Sequence, residues 1–263
     1  MTVEGNAVPV TQIAHYLDEL LDIRNVPDYS NALNGLQLAN QGAIKKIAAA
    51  VDFSSQAIAK AIEAEANLLI VHHGMFWGGL QPLRGAAYAR VKALIENDIA
   101  VYASHLPLDK HAVYGNNVLL AHALGLAPRG EFAKYKTISI GVRGRADLST
   151  MDIYERASAF AREHGGITRV TPIVSEQRTQ SWAICTGGGV STETLREAAE
   201  SGVDTLIVGE GPHHTVIEAN ELGVTVIYAG HYATETLGVR ALSAHLGERY
   251  SLPWTFIEAP TGF

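Results

Sequence analysis

The chain has 263 residues, 47% of them hydrophobic and 18% charged, enough apolar material for one large domain or two small ones. A formal charge of −7, with no cluster of Lys and Arg, argues against general binding to a nucleic-acid backbone. The single cysteine, Cys185, excludes an intrachain disulfide framework and a cysteine-built zinc site.

No segment approaches the roughly 18–20 apolar residues that span a bilayer. The stretch from Met1 to Val10 lacks the basic and apolar regions of a signal peptide. The expected location is therefore the cytoplasm.

In chain order, residues 10–23 place Ile13, Leu17, Leu20 and Leu21 at helical spacing, with Thr11 as a candidate N-cap and Pro27 as a stop. A loop carries Asn34-Gly35-Leu36-Gln37. Residues 44–53 predict a strand, 54–66 a helix, and 68–71 a short buried strand with His72-His73 just past it. A helix over 88–97, a buried strand over 99–103 ending at His105, and a helix around 117–124 close this first stretch. Strands follow over 137–142, 169–174 and 182–186, with a helix over 151–163 between the first two. The last of these strands runs into Gly187-Gly188-Gly189. A helix over 192–200, a strand over 205–208, a helix over 216–222 and a strand over 224–229 then lead to His231. A helix over 236–246 and a short strand over 254–257 finish the chain. The alternation predicts an α/β fold with parallel strand pairs.

An internal repeat is visible. Residues 64–74 (AEANLLIVHHG) align with 201–211 (SGVDTLIVGEG), and 96–109 with 221–235. Each unit reads helix, apolar strand, polar site, helix, apolar strand, histidine. Two such units would place both polar clusters at the carboxyl ends of strands, where open α/β sheets bind ligands.

Three clusters carry chemistry. His72-His73 follows a buried apolar run, and Gly74, Gly78 and Gly79 give the backbone room to bend. His105 precedes Asp109 by four residues, and His231 precedes Glu235 by four. Such a pair shares one face of a helix, although Pro107 argues against a regular helix across the first. Each cluster alone reads rather as solvated loop or surface residues, and it is the three together at equivalent strand ends that point to a site. Together, imidazoles and carboxylates form the cysteine-free ligand set for Zn, Mn, Fe or Ni. With a bridging carboxylate they would hold two metals about 3.5 Å apart, as in two-metal hydrolytic sites that activate a water.

Other features keep two readings. His213-His214 could add ligands or lie in a solvated turn. Glu210 aligns with His73 and could face the site. Gly187-Gly188-Gly189 could cradle an anion or form a tight turn. Asp52 could orient a ligand histidine or cap the next helix. Cys185 reads as a small buried residue. His15, His111, His122, His164 and His245 carry no special reading.

The segments NGLQ (34–37), VHHGMFW (71–77), HLPLD (105–109), GNN (115–117), CTGGG (185–189), VGE (208–210) and AGHYATETLGVRAL (229–242) span nearly the whole chain. On them the sequence resembles the GTP cyclohydrolase 1 type 2 homolog, or Nif3-like, family in its short bacterial form. The resemblance implies two α/β lobes related by a pseudo-repeat, residues 1–127 with 224–263 and residues 128–223. It implies a metal site at strand carboxyl ends between them.

The ligands it implies for a dinuclear centre are His72, His73, Asp109, His231 and Glu235, with Glu235 as the bridge. His105 is implied beside the site, in a supporting or proton-transfer role. The resemblance further implies two divalent metal ions (Zn, Mn or Fe) and a toroidal homohexamer.

One departure stands out. Many members carry an Asp-Asn pair before Gly-Leu-Gln, whereas this chain has Leu33-Asn34. The loop 210–214 (EGPHH) matches the common Glu-x-x-His-His form. The expected function is a metal-dependent hydrolase of a nucleotide-like small molecule. The alternative is a non-catalytic metal-binding scaffold or partner-binding protein.

Overall fold

A computed structural model describes residues 8–263; the first seven residues, part of the stretch read above for a signal peptide, lie outside the described residues. In chain order the elements are β1 (Val8–Pro9), α1 (Val10–Leu20), β2 (Gly35–Leu38), β3 (Ala43–Ile44), β4 (Ile47–Asp52), α2 (Ser55–Glu63), β5 (Leu68–His73), α3 (Ala86–Glu96) and β6 (Ala100–Ala103). Then come α4 (Leu106–Lys110), α5 (Asn116–Ala123), β7 (Gly130–Tyr135), β8 (Ile138–Ser149), α6 (Thr150–Glu163), β9 (Arg169–Val170), β10 (Arg178–Cys185), α7 (Thr192–Glu200) and β11 (Thr205–Val208). The chain ends with α8 (His214–Leu222), β12 (Thr225–Tyr228), α9 (His231–Tyr250) and β13 (Trp254–Phe256).

The chain forms two compact units, Met1–Leu108 with Val239–Ala259, and Asp109–Gly238 with Pro260–Phe263. The division expected from the sequence, at 127 and 223, is displaced. Strand β12 pairs in parallel with β11 and so belongs to the second unit, whereas the expected split assigned it to the first. An apolar run announces a buried strand but not the sheet it joins. Only β13 and the later part of α9 return to the first unit.

The first unit holds a five-stranded sheet in the order β13-β4-β5-β6-β2. Strands β13, β4, β5 and β6 are parallel and β2 is antiparallel at the edge. Alternation along the strands splits the core between two faces. Ala48, Ala50, Leu69, Val71, Val101 and Ala103 pack with Ala57, Ile58 and Ala61 of α2 and Leu94 of α3. The opposite parity, including Leu68, Ile70 and Tyr102, is buried as well. There the Tyr102 hydroxyl donates to Asp18 Oδ1 of α1 at 2.9 Å. Helix α2 starts where Ser54 accepts from the Ala57 amide, so Ser54, not Asp52, is its cap. Helix α1 has Pro9 at its N-cap position and no side-chain cap, so Thr11 does not take that role.

The second unit holds a six-stranded sheet in the order β7-β8-β10-β11-β12-β9, whose β10, β11 and β12 are parallel. One face carries Ala183, Cys185, Leu206, Val208 and Val226 against α7 and α8. The other carries Trp182, Ile184, Ile207 and Ile227 against α5 and α6. The repeat is therefore three parallel strands followed by an antiparallel edge, β4-β5-β6-β2 in one unit and β10-β11-β12-β9 in the other. Asn67 and Asp204, aligned by sequence, do the same work. The Asn67 side-chain oxygen accepts from the amides of Lys45 and Lys46, and the Asp204 carboxylate from those of Gln180 and Ser181.

Candidate metal centre

Within the first unit the polar residues gather where the parallel strands end. His72 and His73 are the last two residues of β5, so they extend the strand and do not form the loop expected beyond it. His73 stands in register opposite Asp52, and parallel pairing brings the two side chains together: His73 Nδ1 is 2.8 Å from Asp52 Oδ1. His72 Nδ1 is 2.9 Å from the Ser104 carbonyl oxygen at the end of β6. His105 follows β6, and its Nδ1 lies 2.9 Å from Asp28 Oδ1. Ligand-capable atoms of His72, His73 and His105 all lie within 4.8 Å of one another.

Asp28 was not singled out by sequence; it lies 77 positions from His105 and belongs to no motif. It is a hub. Its carboxylate accepts from the Leu106 amide at 3.0 Å, the Asn34 side chain at 2.8 Å and the Tyr29 amide at 2.7 Å. Burial pushes its carboxyl pKa up, but the bonds from His105, Asn34 and Tyr29 outweigh burial and hold it below the ordinary value. Asn34, the residue at the departure noted above, accepts the His105 amide at 2.7 Å. The short α4 begins just after His105, with Pro107 in its first turn, where a missing N–H costs nothing.

Within the second unit the same logic recurs. His231 and Glu235 are one turn apart at the start of α9, and Nε2 and Oε2 are 3.2 Å apart, as the four-residue spacing predicted. His231 Nδ1 is 2.9 Å from Glu210 Oε1 at the end of β11. Burial pushes the His231 pKa down, but Glu235 and Glu210 outweigh it and raise it to about 9. Glu235 is 2% exposed. Asp109 Oδ1 accepts from Asn116 Nδ2 at 2.8 Å and from the Thr186 hydroxyl at 3.4 Å. Asn117 holds the Asp109 carbonyl and accepts the Thr186 amide. These bonds give the GNN and CTGGG segments a positioning role around Asp109.

The glycine run meets a steric need. Gly187 has φ +63°, and a Cβ there would fall on Glu235 Oε1. A Cβ at Gly189 would fall on the Cys185 carbonyl. The run lets the chain pass directly over the Glu235 carboxylate, and its amide at 187 donates to the Thr234 hydroxyl.

His213 and His214 are exposed at the start of α8. The remaining histidines have local partners or none of catalytic interest: His15 faces Glu19 across one helical turn, His111 accepts from two amides of its own loop, His164 meets the Phe160 carbonyl, and His245 meets Tyr16. His122 lies in the last turn of α5.

His72, His73, His105 and His231 share one arrangement. Each is tied through Nδ1 to a carboxylate or a backbone carbonyl. In a neutral ring such a bond favours the tautomer with its lone pair on Nε2, the usual outer support of a metal-ligating histidine; in His231, between Glu210 and Glu235, a metal would have to displace a proton from Nε2. The all-nitrogen and oxygen donor set fits divalent Zn, Mn or Fe.

The pattern of the Duf34/NIF3 (NGG1p interacting factor 3) family matches residues 8–261. A GTP cyclohydrolase 1 type 2 homolog of Deinococcus radiodurans is 38% identical over 257 residues, covering 95% of this chain and 93% of that one. One from Halobacterium salinarum is 40% identical over 244 residues, covering 92% and 95%. A solved structure from Thermus thermophilus superposes with a TM-score of 0.84 at 35% identity, covering 97% of this chain and 100% of that one.

Proposed function

The chain belongs to the Duf34/NIF3 family, and on that premise we propose that it is a dinuclear metal protein that hydrolyses a nucleotide-like substrate. The proposed ligands are His72, His73, Asp109, His231 and Glu235, with Glu235 as the bridge. The observation that supports the reading is the Nδ1 tether of His72, His73 and His231, which makes Nε2 the atom of each ring that would meet a metal.

Two divalent ions would supply an activated water and a Lewis acid for the bond under attack. The chain's own residues do the rest. Asp52 and Glu210 hold the rings of His73 and His231 in place, and Asn116 with Thr186 orients Asp109. His105, steadied by Asp28 and Asn34 beside His72 and His73, would support the site or transfer a proton.

The test is a turnover screen of metal-loaded protein against nucleotides and phosphodiesters, with Mn, Fe and Zn in turn. Turnover that disappears in His72→Ala and Glu235→Ala supports the hydrolase. Bound metal without turnover of any substrate favours a non-catalytic metal-holding scaffold.

A further inference from the structure

Trp77 presents 36% of its surface to solvent, whereas Trp182 is fully buried in the second unit's core. Trp77 is not among the buried core residues described. Instead the loop after β5 is stapled by hydrogen bonds to the 31–37 segment. Asn31 Nδ2 donates to the Trp77 carbonyl at 2.6 Å, and the Trp77 amide donates to the Gly74 carbonyl at 3.3 Å. Gln37 accepts the Met75 amide at 2.7 Å, and its own amide donates to the carbonyls of Ala32 and Leu33. A Cβ at Gly74 would strike the Gln37 side chain, so the glycine is what lets the two segments close. The Asn-Gly-Leu-Gln motif, to which the metal reading gives only Asn34 a task, thus has a second one: it fixes the loop that carries Trp77.

The indole is set against the histidines. Its ring centroid is 4.8 Å from that of His73 and 4.6 Å from that of His105, the latter edge-on at 67°. Tyr29, 51% exposed, stands edge-on to Trp77 at 6.4 Å and 6.0 Å from His105. The exposed indole, held by backbone bonds beside an imidazole cluster, offers a face for stacking, and Tyr29, at 84° to it, stands as a side wall. A flat ring lying on that face would have its substituents within reach of those imidazoles.

We propose that Trp77 is the stacking platform, with Tyr29 as its edge-on wall, for a planar heteroaromatic ring of the substrate, a purine-like base carrying the group that reacts. The proposal rests on the metal-centre reading for the position of the reacting group.

The probe is adenosine 5′-monophosphate, with ribose 5-phosphate as the ringless control. Both are titrated calorimetrically into metal-loaded wild type, Trp77→Ala and Trp77→Phe. We expect Trp77→Ala to lose about ten- to a hundredfold in affinity for the nucleotide, the size of one stacked base. Trp77→Phe, which keeps a ring, should retain part of that affinity, and ribose 5-phosphate should bind weakly and equally to all three. Tryptophan fluorescence quenching by the nucleotide should survive Trp254→Phe and vanish in Trp77→Phe. Equal nucleotide affinity in wild type and Trp77→Ala would overturn the platform, as would ribose 5-phosphate binding as tightly as the nucleotide. Metal content, measured on the same samples, reports on the metal reading separately, so loss of one reading does not hide loss of the other.

Discussion

Glu210 Oε1 lies 2.9 Å from His231 Nδ1, while Glu235 Oε2 lies 3.2 Å from Nε2 of the same ring. One imidazole is thus held between two carboxylates, one at each nitrogen. Glu210 occupies the position that the internal repeat aligns with His73. At the ends of equivalent strands, one unit places a proposed ligand and the other places the residue that orients one. In the first unit the orienting carboxylate comes from the neighbouring strand, as Asp52.

Removing that support should weaken metal binding without unfolding the protein. Glu210→Ala is expected to lose about 10- to 100-fold in metal affinity, the usual cost of losing an outer partner of a ligating histidine. Competition with a chromogenic chelator measures it. Unchanged affinity would mean that the Glu210 bond does not set the ring.

The His231 pKa gives a pH dependence with a defined sign. In the metal-free protein it is raised above 6.5 to about 9, so the protonated ring stabilises the fold. That contribution is complete below about pH 6.5 and is lost as pH rises through about 9. Denaturant unfolding of chelator-treated protein across this window should show the decline. Added metal must displace the same proton, so below about pH 9 binding should release it. Calorimetry in buffers of different ionisation enthalpy counts the proton, and a binding enthalpy independent of buffer would contradict the assignment.

Gly187→Ala tests the close approach over Glu235. The added methyl would meet the carboxylate, and the backbone at φ +63° disfavours any side chain. A loss of about 1–3 kcal/mol in stability is expected, with a parallel loss of metal. Gly202→Ala, also at positive φ but facing open space, is the control for the backbone effect alone.

Cys185 is buried, and desolvation, with the nearby charges of Asp109, Glu197 and Glu235, pushes its thiol pKa far up. The folded protein should not react with a disulfide reagent at neutral pH, and labelling should follow unfolding. Fast labelling of the native state would show that β10 ends in a more open environment.

Some of this was legible in sequence. Leu69, Val71, Leu206 and Val208 lie in continuous apolar runs, and such runs mark strands buried on both faces. The spacing of His231 and Glu235 gave their shared helical face directly. Other parts were not readable. Strand β7 (GEFAKY) sits at the sheet edge beside β8 and buries just Phe132 and Ala133, too short an apolar run to announce a strand. Strand β2 hides behind its Gly35, which reads as a loop. The His72-His73 pair reads as a loop only if the strand stops at Val71, yet pairing of His73 with Asp52 carries it two residues further. Asp28 is invisible because its partner His105 is brought to it by the fold alone.

The central claim is that Glu235 bridges metals held by His72, His73, Asp109 and His231. It is tested most directly by elemental analysis of purified wild type and Glu235→Ala, with circular dichroism to confirm that both are folded. The account predicts close to two divalent ions per chain in the wild type and loss of most of that metal in folded Glu235→Ala. Equal metal content in the two proteins would contradict it.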